Sequence, residues 1–385
     1  MTRSQNSTYP PFDELLTRVR PAPHLPEEEY RTPRCGALSA VTEDKLLALD
    51  LNEGPAAPQA LVEELSARIR SDRDLHIYPD EHSIKLRRAV ATHVGHGDAD
   101  HVAVGPGSVA FYQQIPLAFG VGSRASGRVL VFRPAYGAYF PVVASTGASL
   151  IAPMLARDGS HIDAMPLLVE QFQPDVVILC SPNNPTGEEL PNDVIAAICA
   201  LAPGLVMVDE AYGPFGSANA TALLSRFPNL VVTASSSKAF SLAKLRLGWA
   251  LAHPRIISTL RKVQTPWQVS GPAQLAGILA LTTYRREMLA NVRAVVRERD
   301  RVEEHLAAIK GVAQVLPSEG NFVTFQTHAP ADEVCAAFLL RGIRIRNVAH
   351  VMEDRHWSRV SITASSVDMR AFVSAAEDVL GELPS

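Results

Sequence analysis

Cysteine is scarce in this chain. Its 385 residues include four, Cys35, Cys180, Cys199 and Cys335, scattered without the paired spacing of a zinc site, a redox motif or a disulfide framework. Four reduced thiols in a cytoplasmic protein are therefore expected. An excess of either charge is also missing: 36 Lys and Arg stand against 40 Asp and Glu, well mixed, for a net charge of -4. That argues against the basic footprint of a nucleic-acid or membrane-surface binder. No apolar run reaches the roughly 20 residues of a membrane-spanning helix. The opening MTRSQNSTYPPFDELL has no apolar leader core, and repeats and low-complexity tracts are absent. No metal is expected either. HVGHGDADH (93–101) reads as a polar turn between helix and strand, and HVMEDRHW (350–357) has no ligand spacing. The latter lines a substrate entrance or is a plain surface loop.

What is present is a large apolar content, 47% of residues, enough for more than one layered unit. Residues 1–47, rich in proline and charge, read as an N-terminal arm with a short helix near Phe12–Val19, partly packed on a small domain. A large domain is expected over 48–272. Short apolar runs, RVLVF (128–132), VVILC (176–180), LVMV (205–208), LVVTA (230–234) and LGWALA (247–252), alternate with helical stretches such as 84–94, 109–119 and 192–202. That alternation predicts an α/β fold with three layers and a mostly parallel sheet. A smaller α+β C-terminal domain is expected over 273–385. It would begin with one long helical tract from Ala273 to Ile309, followed by strands near 312–316, 321–325, 343–347 and 358–363 and helices at 331–341 and 367–381.

Three polar segments follow three of these strands directly: Ser181-Pro-Asn-Asn184-Pro-Thr-Gly187, Asp209-Glu-Ala-Tyr212 and Ser235-Ser-Ser237-Lys238. Singly they read as a turn, a helix N-cap and a solvated loop. Jointly they sit where an open parallel sheet places its active site, past the carboxyl ends of its strands.

These segments resemble the motifs of the fold-type I, class I/II aminotransferases that use pyridoxal 5′-phosphate (PLP), and within them the histidinol-phosphate aminotransferase branch. The resemblance spans about residues 48–381 and implies an aspartate-aminotransferase-like fold. SSSKAFSLAKLRLGWA is similar to the family's lysine segment. By that resemblance Lys238 is the Schiff-base lysine and the base that moves the Cα proton. Ser235, Ser237 and Arg246 would hold the cofactor phosphate. Asp209 would pair with the pyridinium nitrogen, and Tyr212 and Asn184 with the ring oxygen. Gly105-Pro-Gly107-Ser108-Val109 resembles the phosphate loop, in which backbone N–H groups at a helix start face an anion; Gly107, Ser108 and Val109 are the expected donors. Tyr136 would stack on the ring. Asn52 and Asn321 would lie near the substrate, and Arg359, in SRVSIT, would grip its carboxylate. Tyr78, in HIYPD, resembles the tyrosine that reaches a partner's cofactor phosphate, which implies a homodimer with shared active sites. Lys244 is expected to be exposed.

The activity this implies is PLP-dependent transfer of an amino group from an amino acid or related amine to a 2-oxo acid, of the histidinol-phosphate or aromatic-amino-acid type. A PLP-dependent lyase, decarboxylase or cyclase of specialised metabolism would carry the same motifs. A non-catalytic DNA- or ligand-binding regulator on this fold is disfavoured by the retention of Lys238 and Asp209 and by the acidic balance.

Overall fold

The computed structural model describes residues 22, 46–123, 127–156 and 161–382. Cys35 and the helix expected near Phe12–Val19 lie outside the described residues. The chain is first seen in a strand as β1 (Leu47–Ala48). Seven strands then form the main sheet: β2 (Val102–Gly105), β3 (Arg128–Val131), β4 (Ser149–Ile151), β5 (Val176–Cys180), β6 (Leu205–Asp209), β7 (Leu230–Ser235) and β8 (Gly248–Ala252). Their order is β2-β8-β7-β6-β5-β3-β4. All pairs from β7 to β4 are parallel, and β8 runs antiparallel to both its neighbours. The sheet is therefore mostly parallel, as the alternation of elements predicts.

Its strands read as continuous apolar runs because both faces are covered. Along β5, Val177 and Leu179 enter one core layer while Val176 and Ile178 enter the other. The helix Val109–Ala118 lays Phe111, Tyr112 and Ile115 on the second layer. The helix Ile84–Val94 lays Leu86 and Val90 on the first.

The C-terminal part has a second sheet. It contains β9 (Val312–Leu316), β10 (Phe322–Thr327), β12 (Arg346–Asn347) and β13 (Trp357–Ser361) in the order β12-β13-β10-β9, all antiparallel. β11 (Ile343–Arg344) leaves this sheet to pair in parallel with β1. The helices Arg285–Ala308, Ala331–Leu340 and Ser366–Glu382 cover it, with Phe338 stacked on Phe372 at 5.3 Å between ring centroids.

Two expectations about this region need correction. The helical tract from 273 to 309 is two helices, Gly271–Leu281 and Arg285–Ala308. At the break Thr282 leaves helical geometry and its hydroxyl bonds back to the Ile278 carbonyl at 2.6 Å, a local bond that competes with helix propagation. The expected strand 343–347 is likewise two short pieces, because Ile343–Arg344 and Arg346–Asn347 pair with different partners. Among the described residues no helix is long and apolar enough to cross a membrane. No group of three or more His, Cys, Asp or Glu is arranged to hold a metal among them.

Candidate active site

The carboxyl ends of β5, β6 and β7 deliver Asn184, Asp209 with Tyr212, and the Ser235–Lys238 loop to one cavity of about 630 Å³. Its wall also takes Asn52, Ser108, Val109, Tyr136, Arg246 and Arg359. Segments more than 300 residues apart in sequence thus converge: Asn52 N donates to Ser361 Oγ at 2.7 Å, and Arg359 Nη2 to the Asp50 carbonyl at 2.9 Å.

The Lys238 ammonium is close to losing its proton at neutral pH. Burial, then the nearby charge of Arg359, brings its pKa down to about 7. Its Nζ donates to the Leu51 carbonyl at 2.8 Å and stands 5.9 Å over the Tyr212 ring. The loop carrying Leu51 approaches the lysine loop so closely that a β-carbon on Gly54 would lie 2.0 Å from the Lys238 carbonyl oxygen.

Asp209 is 2% exposed. Burial pushes its carboxyl pKa up, and hydrogen bonds from Tyr112, Tyr139, Ala211 N and Thr233 oppose that rise. Tyr212 Oη accepts from both Asn52 Nδ2 and Asn184 Nδ2 at 3.1 Å. Burial raises its phenol to about 12, so it keeps a proton to donate. Arg359, 6% exposed, donates to Asn184 Oδ1 at 2.6 Å and lies 5.4 Å over the Phe322 ring, while its Nε is buried without a hydrogen-bond partner.

A second group gathers at the start of the helix Val109–Ala118. Its N-cap, Ser108, makes no side-chain cap bond. The backbone of Gly107 takes a positive φ of 86°, and a β-carbon there would meet Arg246 Nη2 at 2.7 Å. Arg246 Nη1 donates to Ser237 Oγ at 3.3 Å, and Ser235 Oγ to Ser237 Oγ at 2.9 Å. A helix N-terminus, a guanidinium and two hydroxyls form a donor set suited to a phosphate dianion. With an acid for a ring nitrogen, a phenol for a ring oxygen and a lysine for an aldehyde, the residues present fit PLP.

Several sequence expectations are adjusted by this geometry. Arg246 is exposed, precedes β8 in the left-handed region (φ 50°), and turns its guanidinium toward Ser237. Asn321 does not face the cavity, because its Nδ2 is spent on the carbonyls of Asn52 at 3.2 Å and Glu53 at 3.1 Å, which makes it a strap behind Asn52. Tyr78 stands apart from this chain's cavity, 73% exposed and stacked on Trp267 at 4.5 Å. Lys244 is exposed. Of the 350–357 segment, His350 and Val351 line the cavity.

The sequence reading missed Tyr112, Tyr139, Arg133, Arg346 and Phe140, which also line it. Tyr112 lies four residues after Ser108, on the same helix face, and that spacing was the available signal. Arg346 faces Arg359 across β12 and β13.

A family model for aminotransferase class I and II matches residues 45–375. The histidinol-phosphate aminotransferase of Thermobifida fusca is 37% identical over 323 residues, 82% of this chain and 85% of that protein. Histidinol-phosphate aminotransferase 3 of Burkholderia lata is 36% identical over 356 residues, 89% and 93% of the two chains. In structure, the chain is similar to the histidinol-phosphate aminotransferase of Sinorhizobium meliloti in complex with PLP, with a TM-score of 0.75 at 24% identity, covering 88% of this chain and 92% of that one. A single mutant of Thermus thermophilus aspartate aminotransferase shares the fold with a TM-score of 0.73 at 21% identity, over 87% and 91%. The chain belongs to the class I and II aminotransferases, enzymes that move amino groups with the help of PLP.

Proposed function

We propose that this chain is a histidinol-phosphate-type aminotransferase, passing the amino group of a phosphate-bearing amine to a 2-oxo acid, with PLP held by Lys238. The observation that carries the reading is that Lys238, Asp209 and a phosphate-ready helix start wall a single cavity. The relatives at 36–37% identity support the substrate class. When bound, PLP supplies the electron sink that lets a substrate Cα–H bond break.

The residues divide the remaining work. Lys238 Nζ, neutral above about pH 7, takes the proton from the substrate Cα and would hand it to the carbon that carried the cofactor's aldehyde. Asp209 would face the ring nitrogen of bound PLP. Tyr212, held by Asn52 and Asn184, would present its hydroxyl proton toward the ring oxygen of bound PLP. Arg359 fixes an anionic group of the substrate and so orients the bond to be broken. Amino donor and oxo acid use the site in succession. Arg346, paired with Arg359 across β12 and β13 and lining the same cavity, suits a second anionic end such as a phosphate or a distal carboxylate.

The test is a panel of amino donors, histidinol phosphate and aromatic amino acids among them, each with 2-oxo acid acceptors. Product amino acid and released CO2 are both measured. Histidinol phosphate should be the donor with the highest kcat/KM and CO2 should not form. A decarboxylated product in place of the oxo product would overturn transamination, and a Lys238→Ala variant that retains turnover would overturn the site.

The dimer is part of this proposal. Leu75, Ile77, Tyr78 and Trp267 are large apolar side chains left exposed around the Tyr78–Trp267 stack, a surface suited to a second copy of the chain.

A further inference from the structure

We propose that Tyr112 and Tyr139 are positioning residues that keep Asp209 ionised against the ring nitrogen of PLP, so that the proton of that pair stays on the ring. The inference rests on the reading of the cavity as a PLP site.

Two tyrosines on separate elements converge on one atom. Tyr112, on the helix Val109–Ala118, and Tyr139, the first residue of the helix Tyr139–Ala144, both donate to Asp209 Oδ2, Tyr139 at 2.8 Å. Each is 1% exposed, and their rings meet edge to face at 4.7 Å. Asp209 Oδ1 accepts from Ala211 N at 3.2 Å and Thr233 Oγ1 at 3.3 Å. An ionised carboxylate has about four lone-pair sites; the two tyrosines take those of Oδ2, while the contacts on Oδ1 are long, so the acid is held in one orientation with Oδ1 as the oxygen that can turn to a ring nitrogen. Tyr112 Oη also lies 3.4 Å from Ser108 Oγ, which ties the acid to the helix start suited to phosphate.

The need for such donors follows from burial. In a dry site a carboxyl group becomes the more basic partner and would pull the shared proton off a pyridine nitrogen, leaving a neutral pair. Hydrogen bonds to the charged form oppose this, the one from Tyr112 most and the one from Tyr139 next. The tyrosines themselves do not titrate in any working range, because burial and the Asp209 charge hold both phenols well above 10. The adjacent Cys180 thiol, pushed up to about 12 by burial and Asp209, stays neutral as well. The cluster thus holds several protons that stay in place and one carboxylate charge directed at the ring.

The test compares wild type, Tyr112→Phe, Tyr139→Phe, the double variant and Asp209→Asn, each reconstituted with PLP labelled with 15N at the ring nitrogen. Phe keeps the ring volume, and thermal melting reports whether each variant folds; if the double variant does not, the single ones decide. Each lost hydroxyl should move the 15N resonance from the protonated toward the unprotonated position and weaken PLP binding by roughly tenfold. Tyrosine variants that keep the wild-type resonance while Asp209→Asn shifts it would overturn the clamp and leave the ring pairing intact. A resonance that Asp209→Asn does not move would remove the pairing, and the clamp with it. Lower melting temperatures alone, with an unmoved resonance, would mean that the tyrosines are merely structural.

Discussion

Lys238 and Glu210 are charged residues whose burial alters their proton affinity in opposite directions, and each gives a measurable consequence. The lysine pKa is lowered to about 7, so its amine gains nucleophilicity as pH rises through 7 and gains little above 8. The rate at which PLP-free protein takes up PLP should follow that curve in stopped-flow absorbance. A rate still climbing toward pH 10 would mean an ordinary lysine. Glu210 lies beside Asp209, accepts from Ala220 N at 2.6 Å, and is raised to about 7 by burial, with help from the charges of Asp209 and Glu189. A carboxyl raised on folding costs nothing below its unfolded pKa. The penalty grows as pH climbs from there to about 7 and is constant above. Glu210→Gln keeps the acceptor and removes the charge. It should therefore stabilise the fold at pH 8, by about 3 kcal/mol, and change little at pH 4.5. Urea melts at the two pH values check this, and an equal effect at both would refute the burial argument.

The elements explain which parts of the site could be read from the sequence. Asn184, Asp209, Tyr212, Ser235 and Lys238 lie at or just past the ends of β5, β6 and β7, and an apolar run ending in polar residues marks such a position without any structure. Tyr112 and Tyr139 were hidden because both occupy apolar helix faces, where a tyrosine reads as core. Only the third dimension brings their hydroxyls to one carboxylate. Arg346 was hidden because its strand is two residues long and its relation to Arg359 is a cross-strand register. The break at Thr282–Tyr284 was missed because helical periodicity continues on both sides of it. Contacts between loops were equally invisible. Gly54 is an example, since a β-carbon there would overlap the Lys238 carbonyl at 2.0 Å, backbone against backbone. Gly54→Ala should push the lysine loop away from its position and weaken PLP affinity more than tenfold, by an argument from close approach alone. Titration with PLP measures this, and unchanged affinity would show that the two loops separate freely.

At the scale of the molecule, the cavity draws its walls from both sheets and from the loop after β1, so PLP and substrate would be held between two layered bodies. Tyr78 is the residue that this single-chain picture leaves unused, exposed on Trp267 and apart from its own cavity. If it serves the cavity of a second copy, each active site takes Lys238 from one chain and Tyr78 from the other. Complementation then follows from symmetry. Lys238→Ala and Tyr78→Ala homodimers would each be impaired in both sites. A mixed dimer would carry both lesions in one site and neither in the other. Refolding the two variants together in equal amounts should make half of the dimers mixed, restoring about a quarter of wild-type sites. Turnover of the mixture, compared with the sum of the two variants alone, reads this directly. Sedimentation checks that both variants still dimerise. Activity no greater than that sum, from variants that are dimeric and exchange subunits, would mean that every site is complete within one chain.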